Sequence, residues 1–226
     1  MQVKLYEPNI AQLEAIRIEN IIKPRILLLN FGRQVGKSVY LKMSTLTFAI
    51  NNPKSKQMYV NLNFDSNARV IKDIIDMFSG RESEMAIFIK QIKQKQQEII
   101  FTNGSIIRFK SYEQGDGMRG PDLHRLVIDE AAFQDIEIIN TVLLPMLITT
   151  GGMLVMASTS NHVQWFRDMK KEGLKTEVIE GKRPHIITLQ FIYKDLNNPV
   201  ITDFVENVLK KQLTKDQFNQ ECLNMD

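Results

Sequence analysis

Gly32–Arg33–Gln34–Val35–Gly36–Lys37–Ser38 is the stretch whose residue types and spacing best suit chemistry. Its glycines let a turn aim backbone N–H groups inward, and a helix starting near Lys37 adds positive potential at its N-terminus. Together these cradle phosphate. Lys37 then reaches β- and γ-phosphates, and the Ser38 hydroxyl is a ligand for Mg²⁺. The general motif G-x-x-x-x-G-K-[ST] puts its first glycine at position 31, which is Phe31; Gly32 stands one residue late. A bare G-K-S before a helix arises by chance, so the strand before it and the helix after it carry the reading.

Asp129–Glu130 form the second constellation. They end the apolar run Leu126–Val127–Ile128, about ninety residues after the phosphate loop. Ligands of open parallel sheets bind at the carboxyl ends of strands. If their two strands are neighbours, Asp129 serves Mg²⁺ directly or through its outer shell, and Glu130 orients or deprotonates the attacking water. Capping of the next helix is the plainer role for the pair; the phosphate loop favours catalysis. Arg119 lies in the glycine-rich loop 113–122 and has the chemistry of an arginine finger or of a surface arginine. Arg33 lies inside the phosphate loop, where a side chain has little room to avoid a nucleotide. Ser158–Thr159–Ser160 end a further strand, where small hydroxyls sense a γ-phosphate or cap a helix.

The elements that must position these groups follow in order. Residues 7–22 carry Ile10, Leu13, Ile16 (or Ala15) and Ile18 at roughly helical spacing, with Pro8 and Asn9 at the start. Gln12 in that helix reads as a solvated side chain. Residues 25–31 read as a buried strand, 38–50 as a helix stopped by Asn51–Asn52–Pro53, and 57–62 as a strand. A helix over 67–78, capped by Asp65 or Ser66, presents Val70, Ile71, Ile74, Ile75 and Phe78 and stops at Ser79–Gly80. Residues 84–95 are helix or loop; Lys90, Lys93 and Lys95 there make a solvated face or a DNA-facing patch. The runs 98–101 and 106–109 flank Asn103–Gly104 as a hairpin. A helix over 135–148 holds Pro145 late, 152–157 is a buried strand, and a helix passes through Trp165 and Phe166. Residues 185–191 are a strand, and two short helices cover 201–212 and 214–224. Strands with β-branched, unalternating cores between helices specify an α/β fold with a mainly parallel sheet covered on both faces.

Composition agrees with a globular chain. Of 226 residues, 43% are apolar and 24% charged, and the net charge of +3 permits a nucleic-acid partner without requiring one. Cys222 is the only cysteine, which excludes an intramolecular disulfide and points to a reducing compartment. No leader pattern and no 18-residue uncharged apolar run is present, so neither secretion by that route nor a membrane span is expected.

GRQVGKS, NGSIIRFKS, MRGPDLHRLVIDEAAF and MASTSNHVQWF, in that order, resemble the ATPase domain of the large terminase subunit of tailed bacteriophages. The resemblance runs roughly from Pro8 to Glu221. An arginine-bearing phosphate loop with a displaced glycine is typical of that family. It implies a P-loop NTPase of the RecA-like, ASCE type with an added β-hairpin and a small C-terminal helical segment. It divides the chain into a P-loop core at 1–195 and a helical lid or linker at 196–226, leading to a nuclease domain that is absent, so nuclease activity is not expected.

By the same resemblance, Gln12 with Pro8 contacts adenine. Gly32, Arg33, Gln34, Val35, Gly36, Lys37 and Ser38 grip ATP, with Ser38 and Asp129 on Mg²⁺. Glu130 is the catalytic carboxylate and Arg33 assists it; Arg119 acts in trans on a neighbouring subunit; Ser158, Thr159 and Ser160 couple hydrolysis to movement. The implied partners are double-stranded DNA, the capsid portal protein, the small terminase subunit and further copies in a ring, a pentamer, in the host bacterial cytoplasm. Two other classes compete. A helicase-type ATPase needs a second RecA-like domain, for which 226 residues leave no space. A nucleotide-binding assembly regulator without turnover sits poorly with the presence of Glu130.

Overall fold

The structure is a computed structural model that describes residues 7–78, 87–159 and 163–225. In chain order the elements are α1 (Ile10–Arg17, continued by a π turn to Ile22), β1 (Ile26–Phe31), α2 (Lys37–Asn51), β2 (Lys56–Asn61) and α3 (Phe64–Phe78). Then follow β3 (Ile89–Lys93), β4 (Glu98–Phe101), β5 (Ile106–Ser111), 3-10 turns over Tyr112–Met118, and β6 (Arg125–Asp129). A short 3-10 turn, Ala131–Phe133, leads to α4 (Ile136–Ile138), which runs on through π and 3-10 turns to Leu147. β7 (Met153–Ser158), α5 (Gln164–Lys175) and β8 (Ile186–Phe191) precede the helical end: α6 (Pro199–Phe204), a π turn, α7 (Lys210–Gln212) and α8 (Lys215–Leu223). Among the described residues no helix is long and apolar enough to cross a membrane.

The chain forms two compact units, residues 1–40 with 158–226, and residues 41–157. In the first unit β1 and β8 pair in parallel, from Ile26 against Ile186 to Phe31 against Phe191. Every residue of β1 is buried, as its unalternating apolar run requires. α5 lies against β8 through Gly173, where an added Cβ would sit 2.2 Å from Thr188 Oγ1, so only glycine allows this approach. The helical end has its own small core of Tyr193, Val205, Phe218 and Cys222.

In the second unit the strand order is β3-β4-β5-β2-β6-β7. β5, β2, β6 and β7 run parallel, and β3 and β4 add an antiparallel edge. Arg125, wholly buried at the start of β6, ties that strand to α2. Its guanidinium donates to Thr45 Oγ1 (3.1 Å), Gln57 Oε1 (3.2 Å) and Ser44 Oγ (2.8 Å) and lies 5.7 Å from the Phe48 ring centroid.

Three expectations change. The first helix leaves Ile10 and Leu13 53% and 52% exposed and buries only the Ala15 and Ile18 part of the expected set, together with Ala11 and Gln12. Gln12 is therefore buried rather than solvated, which costs little because both ends of its amide are hydrogen-bonded. α3 starts at Phe64, ahead of the expected caps, because Asn63 Oδ1 accepts from Ser66 N at 2.9 Å. Residues 89–93 are a strand, where helix or loop was expected. The run lacks clean alternation because it is an edge strand with a register shift between Ile89 and Gln91, and its exposed Lys90 is the kind of charge that blunts sheet edges. The expected stop at Ser79–Gly80 lies outside the described residues.

Candidate functional site

The phosphate loop belongs to the first unit. β1 delivers the chain to Gly32, and α2 begins at Lys37, so the strand–turn–helix context is present. Gln34 (φ 64°) and Gly36 (φ 94°) take left-handed backbones that bend the loop back on itself; at Gln34 this costs about 1–3 kcal/mol and needs support from outside the loop. α1 supplies it. Asn9 and Gln12 form a capping box. Asn9 Nδ2 donates to Val35 O and Gln12 Nε2 to Gly36 O, both at 2.9 Å. A Cβ on Gly36 would lie 2.5 Å from Gln12 Nε2, so glycine is required there by approach as well as by φ. The buried Lys37 Nζ donates to Phe31 O at 2.7 Å and to Gly32 O at 3.4 Å, folded over the loop's own carbonyls. Ser38 is exposed and Val35 is buried under the turn.

The late glycine has a physical reason. A Cβ at position 32 would stand 3.0 Å from Cys222 O and 3.4 Å from Glu221 O, so the end of α8 is seated on Gly32. Phe31 stays in the strand and packs edge-on against Phe191, with ring centroids 5.5 Å apart. Arg33 is held by the same end of α8: its N–H donates to Glu221 O (2.8 Å) and its Nε to Glu221 Oε2 (2.7 Å). Asn224 completes the seat, donating to Asn30 O (2.8 Å) and Phe191 O (3.0 Å).

The carboxylates belong to the second unit. Asp129 ends β6 and is 5% exposed; Glu130 follows in a left-handed backbone (φ 51°) and is half-buried. Asp129 Oδ1 accepts from Glu130 N (3.0 Å) and Oδ2 from the Tyr59 hydroxyl (3.1 Å), while Gln134 Nε2 donates to the Asp129 carbonyl (3.1 Å). Burial, then the Asp129 carboxylate, push the Tyr59 hydroxyl well above the usual phenol range, so it stays protonated and donating. Gln134 Oε1 and Ser158 Oγ are buried with no hydrogen-bond partner among the described residues.

Arg119 is exposed on the loop after the 3-10 turns. Its Nε and a terminal amine reach Asp116 Oδ1 at 3.2 and 3.1 Å, an ion pair within its own loop. Ser158 is the last residue of β7 and Thr159 follows it, buried; Ser160 lies outside the described residues. Sequence reasoning missed Asn9 as a loop clamp, Tyr59 and Gln134. Asn9 and Gln12 carry a local signal, the N-x-x-Q spacing of a capping box. Tyr59 sits in a buried strand with nothing to mark it.

A family model described as the terminase large subunit, T4likevirus-type, N-terminal region, matches residues 28–222. The chain belongs to this family. The large terminase subunit of Escherichia phage T5 is 24% identical over 220 residues, 95% of this chain and 47% of that protein. The chain thus spans about half the length of that curated relative. Among solved structures, the ATPase domain of the Thermus phage P74-26 large terminase matches with a TM-score of 0.80 at 19% identity, over 97% of this chain and 94% of that one. The large terminase of the HK97 bacteriophage matches with a TM-score of 0.76 at 15% identity, over 97% and 51%. That of another, thermophilic bacteriophage, solved in complex with ADP, matches with a TM-score of 0.75 at 13% identity, over 97% and 53%. The fold of this terminase chain is therefore the expected RecA-like α/β fold of large-terminase ATPase domains.

Proposed function

We propose that the chain is the ATP-hydrolysing motor domain of a large terminase subunit and drives double-stranded DNA into a procapsid. The carrying observation is the phosphate loop, a strand–turn–helix with two left-handed residues, braced from α1 and closed by a buried lysine. In this reading the loop N–H groups and the start of α2 bind the phosphates, and Lys37 turns from the Phe31 carbonyl to the β/γ-phosphate oxygens. Gln12 and Pro8 border the adenine. Glu130 takes the proton of the attacking water, and Arg33 exchanges Glu221 for phosphate oxygen. Ser158, Thr159 and Ser160 report the γ-phosphate to the rest of the chain.

The donor set fits Mg²⁺. The Ser38 hydroxyl and the Asp129 carboxylate each offer only oxygen, the donor that magnesium takes. Magnesium is commonly held by one or two side chains with phosphates and water completing its shell. When bound, the ion neutralises charge on the β- and γ-oxygens. Residues 196–226 act as the lid over the loop, through the end of α8 on Gly32 and Arg33. The partners are the portal, the small subunit and further copies in a pentameric ring, in the cytoplasm of the bacterial host.

Lys37→Ala tests the loop. The variant is expected to lose detectable binding of a fluorescent ATP analogue while keeping the wild-type circular dichroism spectrum. Unchanged affinity overturns the assignment.

A further inference from the structure

We propose that Tyr59 is a positioning residue for the metal-side carboxylate: its hydroxyl holds the Asp129 side chain in the orientation that meets Mg²⁺. The inference deepens the role given above to Asp129 and rests on it. Tyr59 lies in β2 and Asp129 at the end of the adjacent β6. Tyr59 is fully buried and its ring packs 5.8 Å from that of Phe109. That packing aims the hydroxyl at Asp129 Oδ2, 3.1 Å away.

The other oxygen, Oδ1, accepts the Glu130 N–H at 3.0 Å. The backbone of the same turn is tied down by Gln134 Nε2 on the Asp129 carbonyl at 3.1 Å. The carboxylate is thus pinned at both oxygens, by a side-chain donor on one and a backbone donor on the other. A buried carboxylate with a free torsion samples several orientations, and only some of them present a lone pair to a cation. Hydrogen bonds from outside the ligand shell remove that freedom, and losing one typically costs about 10–100-fold in metal affinity.

Tyr59→Phe removes the oxygen and keeps the ring, so packing against Phe109 persists. The experiment measures Mn²⁺ binding to the full chain saturated with ADP, by electron paramagnetic resonance of free Mn²⁺, together with metal-free ADP affinity and thermal melting. The expected result for Tyr59→Phe is a loss of Mn²⁺ affinity of about 10–100-fold with metal-free ADP affinity unchanged. A purely structural role would lower the melting temperature and leave Mn²⁺ affinity alone, and that result overturns the proposal. Asp129→Asn separates the two layers. If it weakens Mn²⁺ binding and Tyr59→Phe does not, the tyrosine role fails and the Asp129 assignment stands. If Asp129→Asn leaves Mn²⁺ affinity unchanged, the Asp129 assignment fails and the tyrosine role with it.

Discussion

Glu130 is set apart from its neighbours by its backbone. β6 buries all five of its residues, and the next residue turns into a left-handed conformation that leaves Glu130 half-buried rather than in the core. Asp129 has the opposite environment, 5% exposed with both oxygens occupied by donors. Two adjacent carboxylates thereby have two environments, one buried and fixed by donors, one more accessible. Glu130→Gln keeps size and removes the charge. It is expected to bind ATP like the wild type and to turn over at least about 10²-fold more slowly in a phosphate-release assay. Normal turnover would place water activation elsewhere.

At the scale of elements, the helical end is organised around Glu206 as much as around its apolar core. Glu206 accepts from Lys210 Nζ (2.7 Å) and Tyr193 OH (2.6 Å) and pairs with Lys194 (3.4 Å). The Lys210 ammonium first, then the Tyr193 hydroxyl, hold its carboxyl down from 4.5 to about 2. A depressed carboxyl stabilises the folded state above its unfolded value and loses that contribution as pH falls through its folded value. The wild type is therefore expected to lose melting temperature as pH drops from about 4.5 toward 2, beyond what the rest of the chain contributes, and Glu206→Gln to show a shallower fall over that window. The group is partly open to solvent, so added salt should narrow the difference. Identical pH profiles for the two proteins would remove Glu206 from the stability of this segment. The same segment presents the end of α8 to Gly32 and Arg33, so its integrity bears on the loop.

At the scale of the molecule, Arg119 is an exposed arginine on a turn of glycines, with Gly115 at φ 46°. Its pairing with Asp116 is between two side chains 62% and 77% exposed, the kind of ion pair worth about 0–1 kcal/mol. A neighbour's nucleotide can therefore outcompete it. Arginine fingers stabilise charge on the transferring phosphoryl group by about 10³–10⁵ in rate. Arg119→Ala is expected to bind ATP and not turn it over, and wild-type turnover per subunit to rise with protein concentration. Mixing Arg119→Ala with Glu130→Gln should restore activity, because one supplies the carboxylate and the other the arginine. If the mixture stays inactive and turnover is independent of concentration, Arg119 does not act in trans.

Local chemistry makes much of this molecule legible in the amino-acid sequence. Short apolar runs rich in β-branched and aromatic residues and bounded by turn residues read as buried strands, so β1, β2, β6, β7 and β8 are legible. Asn103–Gly104 marks the β4–β5 hairpin, and Gly36–Lys37–Ser38 marks the start of α2. Other features depend on what packs against a residue, and periodicity carries no information about that. α1 has two candidate faces, and Gln12's bond to Gly36, 24 positions away, selects the one with the polar residue. β3 is a strand because β4 offers it an edge to pair with. Gly32 is explained by a helix end about 190 residues later, and Asp129 is held by a hydroxyl 70 residues earlier. Sequence distance does not weaken a hydrogen bond or a steric approach, so contacts of this kind exist only once the chain has folded.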